Sequence, residues 1–205
     1  MGEVPTQPRR EILRHIPLLF IAVALGACTP EAPVAPKADA TPQAATPTPA
    51  PPALAAEAEG LRLFNPATGS SRPIPFGTAQ AQTLAALAYR GAPETGTNGE
   101  CGAGPLDYAR WPDGLHLWFQ EGVFLGWAID DRTAAAIGTT GAVGTAAGIA
   151  PGSTRADLDS AYAATVEETT LGTEFAAGEL FGLLDGAGQG AKVTNMWAGV
   201  SCNFR

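Results

Sequence analysis

This chain is sparing with groups that ionise, ligate or attack. Its two histidines are His15, near the start, and His116, which alternates with Leu115 and Leu117 in the stretch LHLWFQ. With no second histidine beyond the first residues, a His-rich metal site cannot be assembled. A Ser-His-Asp triad is formally open, yet the sequence has no G-x-S-x-G elbow. The glycine runs from Gly138 to Gly148 and from Gly186 to Gly190 lack the Lys-Ser/Thr ending of a phosphate loop and read as turns. Asp130-Asp131 closes an apolar run and reads as a solvated turn rather than a calcium site. The remaining catalytic material is acidic. Asp107, Asp113 and Glu121 surround one β-rich stretch and could include a carboxylate pair for glycoside hydrolysis. No metal and no cofactor is expected.

The same stretch is rich in aromatics. Trp111, Trp118, Phe119, Phe124 and Trp127 crowd between positions 111 and 127, and Trp197 lies near the far end. Most such rings fill a small domain's interior. Parity sorts them. LDYARW, LHLWFQ and VFLGWAID, joined by PDG and EG, read as three strands linked by tight turns. Leu115, Leu117 and Phe119 share one face of the second strand, and Val123, Leu125, Trp127 and Ile129 one face of the third. His116 and Trp118 therefore take the opposite face. In an antiparallel sheet covered on one side, that face meets water, and an exposed Trp beside a polar His suits partner recognition. The other outcome is a Trp118 buried between two halves of the domain. His116 and Trp118 are the candidate partner-binding residues.

Around this meander the pattern is looser. Leu61-Arg62-Leu63-Phe64 reads as a short strand stopped by Asn65-Pro66. Thr78 fits a helix N-cap, Leu84, Leu87 and Ala88 one helical face, and Gly91 the C-cap. Ala136 to Thr140 reads as a strand. Thr154 and Asp157 form an acidic capping box for RADLDSAYA, with Leu158, Ala161 and Tyr162 as the buried stripe. VEETTL, TEFAAG, ELFGLLD and KVTNMWAGVSCNF then read as strands, with a glycine-rich turn at DGAGQG. The order predicts an α+β domain of two loosely repeated units, 59–132 and 133–205, each a helix packed on an antiparallel β-meander.

The start of the chain speaks to location. Arg9, Arg10 and Arg14 precede an apolar run from Ile16 to Ala27. A spanning helix needs roughly 20 apolar residues, so the run is too short to cross a membrane and reads as an export signal over 1–27. It ends in Leu25-Gly26-Ala27-Cys28, which resembles the lipobox of bacterial lipoproteins. The resemblance implies cleavage before Cys28, lipid attachment to its sulfur through a diacylglycerol thioether, and acylation of the new amino terminus with palmitate-type chains. Stable anchoring takes two or more chains, which is the physical need such a site meets. Thr29 lacks the aspartate that favours inner-membrane retention in the lipoproteins this resembles, which implies the periplasmic face of the outer membrane. Arg9-Arg10-Glu11-Ile12-Leu13-Arg14 also resembles a twin-arginine export motif; a plain positive leader for general export is the alternative.

With Cys28 taken by lipid, as that resemblance implies, Cys101 and Cys202 are left as an even pair in an exported chain and are expected to be disulfide-bonded. Residues 29–58 hold eight prolines and eleven alanines. Such a segment buries too little surface to offset its ordering entropy. With Cys28 it forms a disordered tether, 28–58, in front of a globular domain at 59–205. Residues 28–205 carry 9 basic and 18 acidic side chains. No basic cluster offsets that sign, so nucleic acid is excluded as a partner and membrane contact is left to the anchor.

The folded part resembles the SmpA/OmlA lipoproteins of outer-membrane assembly and the two-repeat β-lactamase inhibitor protein. The resemblance rests on helix-plus-meander order and on Gly77 and Gly152 opening the helical regions. The Gly-Met-Thr opening of the first family has no Met here, and no binding residue carries over. It implies a non-enzymatic, membrane-anchored binding or structural domain whose partner is an envelope protein or a cell-wall component. An envelope hydrolase using the acids above, or an inhibitor-like protein, is the alternative.

Overall fold

The structure is a computed structural model that describes residues 50–130 and 143–202. The leader, Cys28, the tether up to residue 49, Asp131 and the strand expected at 136–140 lie outside them. The first elements are strands β1 (Ala53–Glu57), β2 (Gly60–Phe64) and β3 (Ser71–Pro75), which pair antiparallel in that order. β1 falls inside the segment that composition assigns to the tether. Its alanines are small enough to pass close to another segment of the backbone: Ala55 and Ala56 are buried, and the Ala56 N–H donates to the Gly144 carbonyl. β3 contains Pro73 and Pro75, which it tolerates because it is an edge strand.

A short helix, α1 (Gln80–Ala86), follows. It is half as long as the Thr78-to-Gly91 reading requires. Thr78 is not its cap; the Thr78 hydroxyl donates back to the Pro75 carbonyl. From Leu87 the chain tightens into a 3₁₀ turn over Ala88–Arg90, which Gly91 closes at φ 85°. The buried positions are Thr83 and Leu87, while Ala88 is exposed. The second helix, α2 (Arg155–Ala161), has the expected capping box. Thr154 Oγ1 accepts from the Asp157 N–H, and Asp157 Oδ2 accepts from the Thr154 N–H.

The remaining strands are β4 (Glu94–Asn98), β5 (Leu106–Arg110), β6 (Leu115–Gln120), β7 (Val123–Asp130), β8 (Thr165–Thr169), β9 (Gly172–Ala177), β10 (Leu180–Leu184) and β11 (Val193–Gly199). They form one antiparallel sheet in the order β4-β5-β6-β7-β11-β10-β9-β8. The β6–β7 turn is Glu121-Gly122, both with positive φ (52° and 75°), as a two-residue hairpin that follows the strand twist requires. Parity holds along β6: Leu115, Leu117 and Phe119 are fully buried on one face. One contiguous core joins that face to the small sheet through Leu61, Leu63 and Ile74, to α1 through Leu84 and to α2 through Leu158. The Trp127 indole N–H donates to the Glu57 carbonyl at 2.8 Å and fixes β1 against the large sheet.

The α+β expectation of two helix-on-meander units is therefore corrected. The described residues are mostly strand, in two antiparallel sheets, and the two helices have seven residues each. Residues 53–75 build a separate small sheet with no counterpart among the described residues of the second half. The strands of both halves also merge into a single large sheet instead of standing as independent units.

Candidate functional site

The second face of the large sheet carries no layer of described helices or strands. Strand register places Gly96, Tyr108, Trp118 and Gly126 in one row across it. The next row runs Glu94, Arg110, His116, Ala128, Trp197 and Phe181. His116 and Trp118 thus share the face that their spacing assigns them.

Trp118 is not the exposed anchor that reading allows; it is buried, and its cover comes from both halves of the domain. It is 8% exposed and packs in a small cluster with Cys101, Leu106, Tyr108, Val200 and Cys202. Cys101 and Cys202 form a disulfide, with Cα atoms 5.2 Å apart, that brings the β4–β5 loop and the chain after β11 together over the ring. Glycine makes this possible. The Val200 N–H donates to the Leu125 carbonyl at 3.0 Å, and a Cβ on Gly126 would run into the Val200 carbonyl oxygen. Tyr108 folds over Gly96 in the same way, with its hydroxyl 2.7 Å from where a Cβ would sit.

Beside this cover the face is hollow. A depression of about 430 Å³ is lined by Asn98, Glu100, Tyr108, Arg110, His116 and Trp118. A second lobe of about 240 Å³ shares Asn98, His116 and Trp118 and continues to Asp130, Trp197 and Cys202. Two of the lining residues each bury a polar atom, sealed from solvent, that has no hydrogen-bond partner: Trp118 Nε1 and His116 Nε2. Asp130 Oδ2 lies 3.9 Å from His116 Nε2, near enough to act on its charge but too far for a hydrogen bond. Arg110 is held by Glu94 at 2.6 Å, and that contact lowers the Glu94 pKa and raises that of Arg110. Burial pushes the His116 imidazole below its ordinary value; Asp130 pulls the other way without offsetting it.

The lowered His116 pKa has a consequence for stability. In the unfolded chain His116 titrates near 6.5. Below that pH the unfolded state binds more protons than the folded one, so stability falls as pH drops and the loss is complete below the folded pKa. Urea unfolding from about pH 7.5 down to about pH 5 is expected to show a steeper loss for the native chain than for His116→Gln. Parallel slopes would show that His116 titrates alike in both states.

The acidic candidates are not brought together. Asp113 sits in the β5–β6 turn and is paired with Arg90. Glu121 sits in the turn at the other end of β6, roughly 20 Å along a six-residue strand. Asp107 accepts from the Thr97 hydroxyl at 2.6 Å. None of the three lines the depression. Among the described residues no group of three His, Cys, Asp or Glu side chains could hold a metal ion, and no helix is long and apolar enough to cross a membrane.

Tyr108 and Arg110 went unmarked in the sequence. Their i, i+2 spacing in LDYARW, set against the parity of His116 and Trp118, is the signal that would have found them. Asn98 and Glu100 carry no such signal, because β4 (ETGTN) has no apolar alternation. No family model matches this sequence, and no curated protein or solved structure is significantly similar to it.

Proposed function

We propose that this chain is a lipid-anchored protein of the bacterial envelope. In this reading it is cleaved before Cys28 and held at the periplasmic face of the outer membrane. Its β domain binds an envelope protein or a cell-wall component and carries out no chemistry of its own. The observation that carries the binding role is the depression on the open sheet face, lined by aromatic and polar side chains that include His116 and Trp118. The separated carboxylates weigh against the hydrolase alternative.

Two measurements in intact cells test the two halves of this reading. Cys28→Ser is expected to release the domain in soluble form or to leave an unprocessed precursor. A variant that still partitions into detergent after signal cleavage would refute the anchor. For the binding face, a photo-cross-linking residue at Asn98, beside the depression, should capture the partner. The same residue at Glu179, in the β9–β10 turn, should not. Capture through position 179 alone would place binding elsewhere.

A further inference from the structure

An antiparallel sheet that does not close has two edge strands, and each offers a row of backbone N–H and C=O groups to any strand that reaches it. Among the described residues the two sheets have four such edges: β1 and β3 on the small sheet, β4 and β8 on the large one. Three of them are blunted. β1 is engaged by Gly144, through the Ala56 N–H and a parallel bridge at Ala55. β3 carries Pro73 and Pro75, which remove donors from its row. β8 (TVEET) sets Glu167 against its own copy when it pairs with itself over its full length, and like charges directly opposite repel. β4 (ETGTN) has none of these guards. It has no proline, no lysine and one charge, at its first position, and Thr95 and Thr97 are exposed.

β4 is also complementary to itself. A two-fold axis perpendicular to the sheet at Gly96 would set Gly96 opposite Gly96 of a second copy, each Thr95 opposite a Thr97, and each Glu94 opposite an Asn98. No like charges meet, and threonine pairs are favourable cross-strand neighbours. The adjacent registers are worse. A shift that centres Thr97 sets Glu94 against Glu100, and one that centres Thr95 brings Pro93 into the ladder opposite Thr97. Gly96 contributes as well. Without a side chain it leaves room for Tyr108, whose ring folds over it from β5 and whose hydroxyl donates to Glu94 Oε1 at 3.4 Å. Pairing at Gly96 brings the two Tyr108 rings together above a floor of two glycines, and tyrosine is a residue that interfaces favour.

We infer that β4 is the contact edge of a homodimer, in which two copies pair antiparallel along Glu94–Asn98 and join their eight-stranded sheets into one. The inference goes beyond the proposed binding role and does not depend on it. The open faces then lie on the same side, and Asn98 of the second copy, which lines its own depression, stands beside Glu94. A five-residue edge runs roughly 17 Å, and its pairing alone buries less than the ~1,200 Å² at which stable interfaces begin. The pair is therefore weak in dilute solution and gains strength where copies are held on one surface. Head-to-tail pairing of β4 on β8 is disfavoured: it puts Glu94 and the two β8 glutamates on one ladder and adds molecules without end.

The test places single cysteines on the edge of the full chain. Thr95→Cys and Thr97→Cys are produced separately and together in cells, which are then treated with a membrane-permeant thiol oxidant. Directly opposite residues have Cα atoms about 4.5–5.5 Å apart, within reach of a disulfide; two copies of position 95, or of 97, are diagonal neighbours beyond the roughly 7 Å limit. The two variants together are expected to give a product of twice the chain's mass, roughly fivefold above either variant alone or the native chain. A second measurement needs no added cysteine. With the photo-cross-linking residue at Asn98, Thr95→Lys/Thr97→Lys should lose the self-product severalfold, because each lysine faces a lysine. Co-production with Thr95→Glu/Thr97→Glu should restore it, which a merely unfolded variant could not do. No mixed disulfide, equal yields from the single variants, or no rescue by opposite charge overturns the inference. Capture of another protein at Asn98 without any self-product also overturns it and leaves the proposed binding role standing. A self-product with no second protein supports the dimer and counts against that role.

Discussion

Trp118→Ala is expected to destabilise the domain by about 3–5 kcal/mol, the range for removing a large buried aromatic ring. The ring is 8% exposed and is the largest side chain beneath the disulfide. Its removal leaves a cavity bounded by Leu106, Tyr108 and the Cys101–Cys202 bridge, which is covalently closed and has little freedom to collapse. Trp118→Phe should behave differently. It keeps most of the ring and deletes the unpartnered N–H, so loss of packing is offset by relief of about 1–3 kcal/mol of unsatisfied desolvation. Urea unfolding curves for the two variants separate these contributions. A large loss for Ala with a small one for Phe is the expected pair. Equal losses for both would mean that the indole nitrogen is satisfied in the folded protein.

Loss of the disulfide should be comparably costly. The bridge joins positions 101 residues apart. For a loop of about 100 residues the chain-entropy model assigns about 4.7 kcal/mol, while native bridges removed from small secreted domains cost about 2–5 kcal/mol. Against a typical stability of about 5–15 kcal/mol that is a large share. Reduction, or Cys101→Ser, is therefore expected to lower the melting temperature markedly and to increase quenching of Trp118 fluorescence, because the cover over the ring is released. Both thiols should resist alkylation in protein isolated from cells without reductant until a reductant is added. Free thiols there, or a melting curve indifferent to reductant, would overturn this.

The parts of this structure that could be read from the chain were those with a period. LHLWFQ alternates cleanly, so the core face of β6 and the shared face of His116 and Trp118 followed from parity alone; in VFLGWAID a register shift opposite Trp118 and Phe119 puts Phe124 in the core with Trp127 and Ile129 and leaves Val123 and Leu125 half-buried, which parity did not foresee. Thr154 and Asp157 signalled the start of α2 because a capping box is local chemistry. The strands without alternation stayed hidden. β4 is polar at every position but its glycine, β3 carries two prolines, and β1 is an alanine strand at the end of a proline-rich run. Missing them made the fold look more helical than it is. α1 added to the error: an alanine-rich segment long enough for a full helix stops at Ala86 and tightens into a 3₁₀ turn. Parity also named the face of Trp118 but not its cover. That depends on where a bond between two distant cysteines lies in space, which no local pattern records.

The placement of β11 bears on how the molecule assembles. Among the described strands, every pairing but one joins neighbours in the chain; the exception is β7 with β11. Each four-stranded meander can zip from its own hairpins, while the seam between them must wait for two distant segments to meet. Non-local pairing of this kind is what slows folding. Until the seam forms, β7 presents the edge of VFLGWAID and β11 that of VTNMWAG, two strands with large apolar side chains and unpaired backbone. Such edges template association with other chains. The interval between synthesis of β7 and closure of the seam is thus the vulnerable stage in the protein's life. Under the export proposed for this chain, a route that carries it across the membrane already folded would end that stage in the cytoplasm; one that threads it unfolded would move it into the periplasm, where the Cys101–Cys202 bond would then lock the seam shut.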